Sequence, residues 1–305
     1  MNQNIVDISL ILEKYFVDMN KSEYSIFLCG GASSKDALFR KMLYQEIIKK
    51  KSKYQYKAYT PEVLFLEFIM GYKKYDSLSL ENILAKSVNS IVIPLQSPGT
   101  FTELGAFSNH SELQNKLIII INPKFKNDKS FINSGPIAFL KKNTQSIITY
   151  SNCDLTDVVP LTKEIIDNTR HISKNHEIDY TLKNPLSSFG FYLALIFVFE
   201  PISKQKIEEI IKIIDSSNEA MIVCETVLNS LISQRKVHMN INEEYYILKS
   251  AISDLYSLYS TAKFKTEVID FLTSLRLKAL NIMLRKKSYK IWREDQAIRQ
   301  PFGAR

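Results

Sequence analysis

The chain has 305 residues, of which 45% are apolar and 24% charged, and its formal net charge at pH 7 is +8. This composition excludes a disordered chain and allows one large domain or two ordinary ones with real hydrophobic cores. Three widely spaced cysteines exclude a disulfide framework and are typical of a reducing compartment, so we expect a cytoplasmic protein.

The N-terminal half alternates between two hydrophobic patterns. Its first residues, MNQNIVDISLILEKYF, mix acids with apolar residues and predict an amphipathic helix, not a signal peptide. Strands are then predicted over 25–29, 54–59, 90–95, 117–122 and 146–150, and helices near 35–50, 61–71, 79–88, 100–115 and 136–142. This alternation predicts a doubly wound α/β fold with five parallel strands in flavodoxin-like order, and ligands at their carboxyl ends.

The alternation stops near residue 150. Residues 155–200 are predicted to be helical, and the apolar run 189–199 is about half the length that a membrane span needs, so we expect a buried helix and no membrane contact. From residue 201 the order is helix, turn, helix and hairpin, which is the order of a winged helix. We therefore expect a catalytic domain over 1–150, a helical connector over 151–200 and a C-terminal domain over 201–305.

A predicted helix over 266–293 is strongly basic. Between residues 276 and 293 it carries seven Lys or Arg and no acid. Such a stripe can contact a nucleic-acid backbone, or it can be a solvated face or a protein interface. The residues expected to contact nucleic acid are Arg276, Lys278, Arg285, Lys286, Lys287 and Lys290.

The loop after the first strand reads CGGASS. Gly30 and Gly31 allow backbone amides to approach a ligand closely, and Ser33 or Ser34 can cap the next helix. This loop is neither a GxGxxG motif nor a P-loop. A phosphate-binding or sugar-binding role and a plain tight turn both remain open.

The loop after the third strand reads QSPGTFTELGAF. Thr100 and Glu103 have the T-x-x-E spacing of a capping box, which would explain the acid structurally. An acid in the first helical turn also feels the positive end of the helix dipole and stays ionised. An ionised carboxylate at the end of a strand can stabilise or attack a sugar carbon, as in retaining glycosidases. The cap and the chemistry are compatible.

Other candidate groups carry weaker signals. Glu81 and Glu62 can each be a first-turn helix acid. The four histidines lack any metal-binding spacing, so no metal site and no cofactor are expected. SFINSGPI, at 130–137, follows the fourth strand, and its Asn133 and Gly135 can line a pocket or a subunit contact or simply form a turn.

Three stretches carry a family resemblance: IFLCGG, LSLENILAKSVNSIVIPLQSPGTFTELGAFSN and KLIIIINPKFKNDKSFINSGPI. Together they resemble the N-terminal domain of retron-associated effectors with a nucleoside 2-deoxyribosyltransferase-like fold, over roughly residues 24–140. The order of the remaining elements is also similar to those effectors. In a retron, such an effector is paired with a reverse transcriptase and the RNA-linked DNA that this enzyme makes.

The resemblance implies an activity and its residues. It implies cleavage of the N-glycosidic bond of NAD+, with Glu103 as the catalytic glutamate and Glu81 as a second acid, although the transferases' "AD" pair is here Val88-Asn89. The alternatives are a nucleoside deoxyribosyltransferase or N-glycosidase, and a non-enzymatic winged-helix DNA-binding regulator. The residues expected to bind substrate are Gly30, Gly31, Ser97, Gly99, Thr100, Asn82, Asn109 and Asn133.

The resemblance also implies partners. They are the retron reverse transcriptase, its RNA-linked single-stranded DNA and non-coding RNA, and NAD+ as the substrate. Deoxyribosyltransferases complete their sites across subunit contacts, so a homo-oligomer or a higher-order assembly is expected. Such an effector would act as a toxin in anti-phage defence, and its assembly would control NAD+ depletion.

Overall fold

We analysed a computed structural model of the chain. It describes residues 2–31, 34–50, 52–61, 87–176, 178–257 and 265–284. The chain forms two compact units. The α/β unit consists of Val17–Ser188, and the helical unit combines Met1–Phe16 with Phe189–Arg305.

A five-stranded parallel sheet forms the centre of the α/β unit. Its strands are β1 (Glu23–Leu28), β2 (Gln55–Tyr59), β3 (Ser90–Pro94), β4 (Leu117–Ile121) and β5 (Ile147–Tyr150), in the order β2-β1-β3-β4-β5. Both β3 and β4 are buried along their whole length, because each is a continuous apolar run between two neighbours. The predicted five-stranded parallel sheet and its order are confirmed.

Helices pack on this sheet in the described part of the unit. They are α2 (Ser34–Lys49), α3 (Pro98–Ser108), α4 (Ala138–Asn143) and α5 (Val158–Asn175). α2 and α5 contact each other, and their apolar side chains share one core cluster with β1, β2, β3 and β4. α5 belongs to the segment expected to be a connector. In this structure, however, it packs with the parallel sheet. The expected domain limits at 150 and 200 remain a prediction.

The amino edge of the sheet is closed by hydrogen bonds among side chains. The Oδ1 of Asn89, just before β3, accepts from the backbone N–H of Ser25 at 2.7 Å and from its hydroxyl at 2.9 Å. The Nδ2 of Asn89 donates to Ser173 at 3.1 Å, and the hydroxyls of Ser90 and Thr169 lie 2.7 Å apart. These bonds tie β1 and β3 to α5, and Asn89 is only 3% exposed.

The helical unit contains helices and a small sheet. α1 (Gln3–Asn20) begins in it, and α6 (Pro185–Phe199) continues into it. The other elements, in chain order, are β6 (Ile202–Ser203), α7 (Lys204–Ile214), α8 (Asn218–Ser233), β7 (Val237–Met239), β8 (Glu244–Ile247), α9 (Lys249–Ser257) and α10 (Lys265–Met283). The three short strands form an antiparallel sheet in the order β6-β8-β7. The predicted order of helix, turn, helix and hairpin is therefore present.

The apolar run 189–199 forms the buried part of α6, as predicted, since its residues are almost all inaccessible to solvent. Within the described ranges, no helix combines the length and the apolar character that crossing a membrane requires.

Candidate functional site

Two loops meet at the carboxyl edge of the parallel sheet, because β1 and β3 are direct neighbours. The glycine loop follows β1, and the loop 95–97 follows β3. A Cβ atom on Gly31 would lie 2.9 Å from the Cβ of Ser97, 3.0 Å from its Oγ and 2.7 Å from the Oδ2 of Asp36. Since real Cβ atoms do not approach other atoms so closely, only glycine fits at position 31. The close contact fixes the spacing of the two loops.

Gly30 is also in close contact with another side chain, that of Arg40, which the sequence did not predict as part of the site. The Nη1 of Arg40 donates to the carbonyl of Gly30 at 3.3 Å, and a Cβ at position 30 would lie 2.7 Å from the Cδ of Arg40. Arg40 therefore brings a guanidinium to the glycine loop, where anionic or polar parts of a substrate can bind. The sequence feature that could have identified Arg40 is its position on α2, one turn after the first-turn acid Asp36.

The start of α3 corrects the predicted capping box. α3 begins at Pro98, and its N-cap is Ser97, whose Oγ accepts from the N–H of Thr100 at 3.4 Å. The Oγ1 of Thr100 in turn accepts from the N–H of Ser97 and donates to the carbonyl of Ser97 at 2.8 Å. The box is thus Ser97 with Thr100, not Thr100 with Glu103. Because Thr100 is buried and its hydroxyl serves the cap, it is not placed to bind substrate.

Glu103 lies in the second turn of α3, about 7.5 Å along the axis from Pro98. The helix dipole acts mainly within the first turn, so the predicted dipole effect on its ionisation is not supported. Helical side chains point back toward the N-terminus, and position 99 lies on the same face one turn earlier. A Cβ on Gly99 would find only the Oγ of Ser97, at 3.8 Å. Gly99 therefore leaves open space on α3 one turn before Glu103.

The environment of Glu103 is mixed. The residue is half-buried, and its Oε2 is shielded from solvent. The next residue, Leu104, is fully buried and anchors α3 to the unit. A carboxylate with one sheltered oxygen, on an anchored helix at the carboxyl edge of the sheet, is well placed to meet a developing positive charge.

Two of the predicted substrate-binding asparagines lie elsewhere. Asn109 is the C-cap of α3, about 15 Å along the helix from Gly99, so it does not join the two loops. Asn133 donates its Nδ2 to the carbonyls of Phe125 and Asp128, each at 2.8 Å. The amide of Asn133 therefore holds the preceding loop in shape. Asn133–Ile137 is a π-helix that contains Gly135 and Pro136, so the expected turn at these residues is not present.

Several predicted residues lie outside the described ranges. They are Glu81, Asn82, Glu62, Ser33, Arg285, Lys286, Lys287 and Lys290, together with residues 62–71 and 79–86 of the helices predicted near 61–71 and 79–88. Residues 87 and 88, the last two of the predicted helix near 79–88, are described and are not helical.

The two described members of the basic stripe differ. Lys278 is exposed on α10. Arg276 forms an ion pair of 2.6 Å with Glu200, donates to the carbonyl of Phe197 and lies over its ring. Glu200 also accepts from the N–H of Ile247 in β8. Because its guanidinium is already bound within the helical unit, Arg276 is poorly placed for a phosphate contact.

Thiol and metal chemistry have little support among the described residues. Cys153 follows β5 near the same edge of the sheet, and burial raises its pKa to about 12, which keeps its thiol protonated at neutral pH. A search of the described ranges for three or more His, Cys, Asp or Glu placed to hold a metal ion finds none.

Comparison with known proteins agrees with the retron resemblance. The family model described as STM3845 retron effector protein matches residues 36–250 of this chain. The chain belongs to this retron effector family. The match includes all but the first two residues of α2, the whole of α3 and the helical unit from Phe189 to Ser250.

Two Escherichia coli proteins are similar to this retron effector. One is named "Retron Ec86 putative ribosyltransferase/DNA-binding protein" and is 30% identical over 307 residues, covering 94% of this chain and 96% of its own. The other, "Retron Ec73 putative ribosyltransferase/DNA-binding protein", is 30% identical over 223 residues, covering 64% and 70%. The similarity to the first therefore extends over both units.

Proposed function

We propose that this retron effector hydrolyses the N-glycosidic bond of NAD+, releases nicotinamide and so depletes the cell of NAD+. The observation that carries the proposal is the placement of Glu103. It lies on α3 directly after the capped loop, with open space at Gly99 one turn before it. The relatives' names, which include ribosyltransferase, agree with chemistry at a sugar carbon.

The leaving group explains why one carboxylate suffices. The nicotinamide of NAD+ is a pyridinium, which leaves as a neutral molecule and needs no general acid. The remaining task is to stabilise the oxocarbenium-like ribose or to form a glycosyl bond that water then hydrolyses. Glu103 can do either, and Arg40 beside the glycine loop can hold an anionic part of the substrate.

The fold supports a nucleoside deoxyribosyltransferase-like catalytic domain. The strand order β2-β1-β3-β4-β5 places two loops at one carboxyl edge, which is where ligands bind in doubly wound sheets. A nucleoside deoxyribosyltransferase or N-glycosidase remains the alternative. A purine leaving group benefits from protonation, however, and the described residues of this edge supply no second acid with an evident acid role.

A winged-helix domain in the helical unit is the second part of the proposal. The order β6, α7, α8, β7, β8 and the sheet order β6-β8-β7 support it. We propose that this unit docks on the reverse transcriptase and its RNA-linked DNA, with Lys278 among the phosphate contacts, and that homo-oligomer assembly in the cytoplasm controls activity. DNA-binding in the names of both relatives agrees with this role.

The decisive experiment uses the effector assembled with its reverse transcriptase and RNA-linked DNA. We expect incubation with NAD+ to release nicotinamide, measured by chromatography, and Glu103→Gln to lower the rate by at least about 1000-fold, since the group would act on the reacting carbon. Near-UV circular dichroism would show that the variant is folded. Glu112→Gln, an exposed acid in the turn after α3, is the matched control and should keep full activity.

Other outcomes separate the alternatives. Release of bases from deoxynucleosides without nicotinamide release would favour the deoxyribosyltransferase or N-glycosidase. A third possibility is a DNA-binding regulator without catalysis. In that case Glu103→Gln would leave cellular toxicity unchanged, whereas neutralising Arg285, Lys286 and Lys287 would abolish it.

A further inference from the structure

The segment between β4 and β5 exposes aromatic side chains that the core does not use. Phe131 is 82% exposed, and Phe125 and Phe139 are each 45% exposed. Burying a phenylalanine side chain is worth about 1.5–3 kcal/mol, so leaving three in water forgoes a substantial stabilisation. Grouped exposed apolar side chains usually mark a surface that binds a partner.

The segment that carries these rings, which includes short helical stretches, is held in a defined shape. The side chain of Asn122 accepts from the N–H of Lys124, and the amide of Asn133 binds two carbonyls of the loop. The outer end of the Phe131 ring rests against Gly135, where a Cβ would lie 3.3–3.5 Å from three ring carbons. Phe131 is therefore supported from one side and open on the other.

The same segment is rich in lysine. Residues 122–142 contain five lysines and one acid, Asp128. The Nζ of Lys124 lies 4.6 Å from the ring centre of Phe125, and the Nζ of Lys126 lies 4.9 Å from that of Tyr150. All five lysines are exposed, and they are Lys124, Lys126, Lys129, Lys141 and Lys142.

We propose that this surface, called the Phe131 surface and formed by residues 124–131 with Phe139, Lys141 and Lys142, binds single-stranded nucleic acid. Lysines pair with phosphates, and an exposed ring stacks on an unpaired base. In a duplex the bases are already stacked on each other, so an open ring such as Phe131 gains its contact only with a single strand. Charge complementarity fits both this partner and an anionic lipid surface, and the supported ring, which can stack on a base, favours the nucleic acid.

The Phe131 surface is distinct from the basic stripe, because it belongs to the α/β unit and the stripe to the helical unit. The inference does not depend on NAD+ cleavage, and failure of either proposal leaves the other standing. It assigns the α/β unit a role in binding nucleic acid in addition to the site at Glu103.

The test measures binding of the full-length protein to a fluorescent oligothymidine of about 12 nucleotides. We expect Phe131→Leu to weaken binding roughly 5- to 100-fold and Phe131→Tyr to retain it, since stacking needs an aromatic ring. Replacing Lys124, Lys126 and Lys129 by alanine should lower the slope of log K against log salt by about 2. Val159→Ala and Lys163→Ala on α5, an exposed apolar residue and an exposed lysine of the same unit, are the matched controls.

Two results would overturn the inference. The first is unchanged oligothymidine binding by Phe131→Leu, which would leave the ring without a stacking role. The second is Phe131-dependent binding to phosphatidylserine vesicles with no binding to the oligonucleotide, which would assign the surface to a membrane. A matching duplex serves as a reference, and its binding should be equal for wild type and Phe131→Leu.

Discussion

The two edges of the parallel sheet use polar residues in opposite ways. At the amino edge, the buried side chain of Asn89 hydrogen-bonds to the partly buried Ser25 and Ser173. At the carboxyl edge, glycines and a capped helix start bring two loops together, and Glu103 lies half-buried on the helix that follows the second loop. The amino edge therefore fixes the strands, and the carboxyl edge is left with a group able to act on a ligand.

This difference shows that polarity alone does not make a side chain available to a ligand. The side chain must also be free of a structural role in the fold. The hydroxyl of Thr100 lies at the functional edge, yet the cap occupies it. Asn89 directly precedes β3, the strand after which Thr100 lies, but its hydrogen bonds to β1 and α5 give it a structural role. If the comparison is correct, substitutions at the carboxyl edge should lower activity, and those at the amino edge should lower stability.

Among substitutions that test this comparison of the two edges, the largest effect on activity is expected for Gly31→Val. The new side chain would collide with Ser97 and Asp36 and push the two loops apart. A displacement of about 1 Å can cost about 100-fold in rate, so we expect nicotinamide release to fall by that factor. Overpacking should lower the free energy of unfolding by about 1–3 kcal/mol, measured by urea denaturation.

Gly105→Ala is the matched control for this prediction. A Cβ at position 105 would meet nothing within 4 Å, and the residue lies within α3. Alanine favours a helix over glycine, so the protein should gain about 0.5–1 kcal/mol of stability with unchanged activity. Wild-type activity in Gly31→Val would show that the spacing of the loops does not matter for catalysis.

At the amino edge, Asn89→Ala should act on stability. The change removes the acceptor of the Ser25 N–H and the donor to Ser173, and it leaves partly buried polar groups unsatisfied. We expect the free energy of unfolding to fall by about 2–4 kcal/mol, with normal nicotinamide release per folded molecule at low temperature. Asn175→Ala, which removes one hydrogen bond at the exposed end of α5, should change stability by less than about 0.5 kcal/mol. A loss of activity in folded Asn89→Ala would contradict the division between the edges.

Most of the parallel sheet could be predicted from the sequence, because buried parallel strands are continuous apolar runs, as in the LIIII of β4. The ends of α3 were less predictable. It was expected over 100–115 but covers Pro98–Ser108, since Thr100-x-x-Glu103 and Ser97-x-x-Thr100 have the same spacing. Proline at the first helical position favours the earlier start. Beyond Ser108, residues 111–115 form turns.

The residues of the candidate site could be predicted only where they follow a predicted strand closely in the chain. Gly31, Ser97 and Glu103 follow strands that the hydrophobic pattern already revealed. Arg40 was missed, because its contact with Gly30 depends on how α2 packs. The partner of Arg276 was equally hidden, since Glu200 is 76 positions away in the chain. A run of basic residues therefore does not reveal which of its charges an ion pair already occupies.

The smallest expected effect concerns Glu23, at the start of β1 on the amino edge. Burial raises the pKa of this carboxyl, and the ion pair of 2.7 Å with Lys57 opposes the rise only in part. Its Oε1 is buried and has no hydrogen-bond partner among the described residues. The folded state therefore holds a proton that the unfolded state has released, in the pH range just above the ordinary glutamate pKa.

The pH dependence of stability follows from this difference. As the pH rises through that range, the contribution of Glu23 to the free energy of unfolding is lost, by at most about 1.4 kcal/mol per pH unit. Glu23→Gln does not titrate and should show a shallower decline than wild type between pH 4.5 and neutral pH in urea denaturation. Glu46→Gln, in a surface ion pair with Lys49, should follow wild type. If the free energy of unfolding changed with pH equally for wild type and Glu23→Gln, the carboxyl of Glu23 would be as fully paired in the folded state as the amide of Asn89.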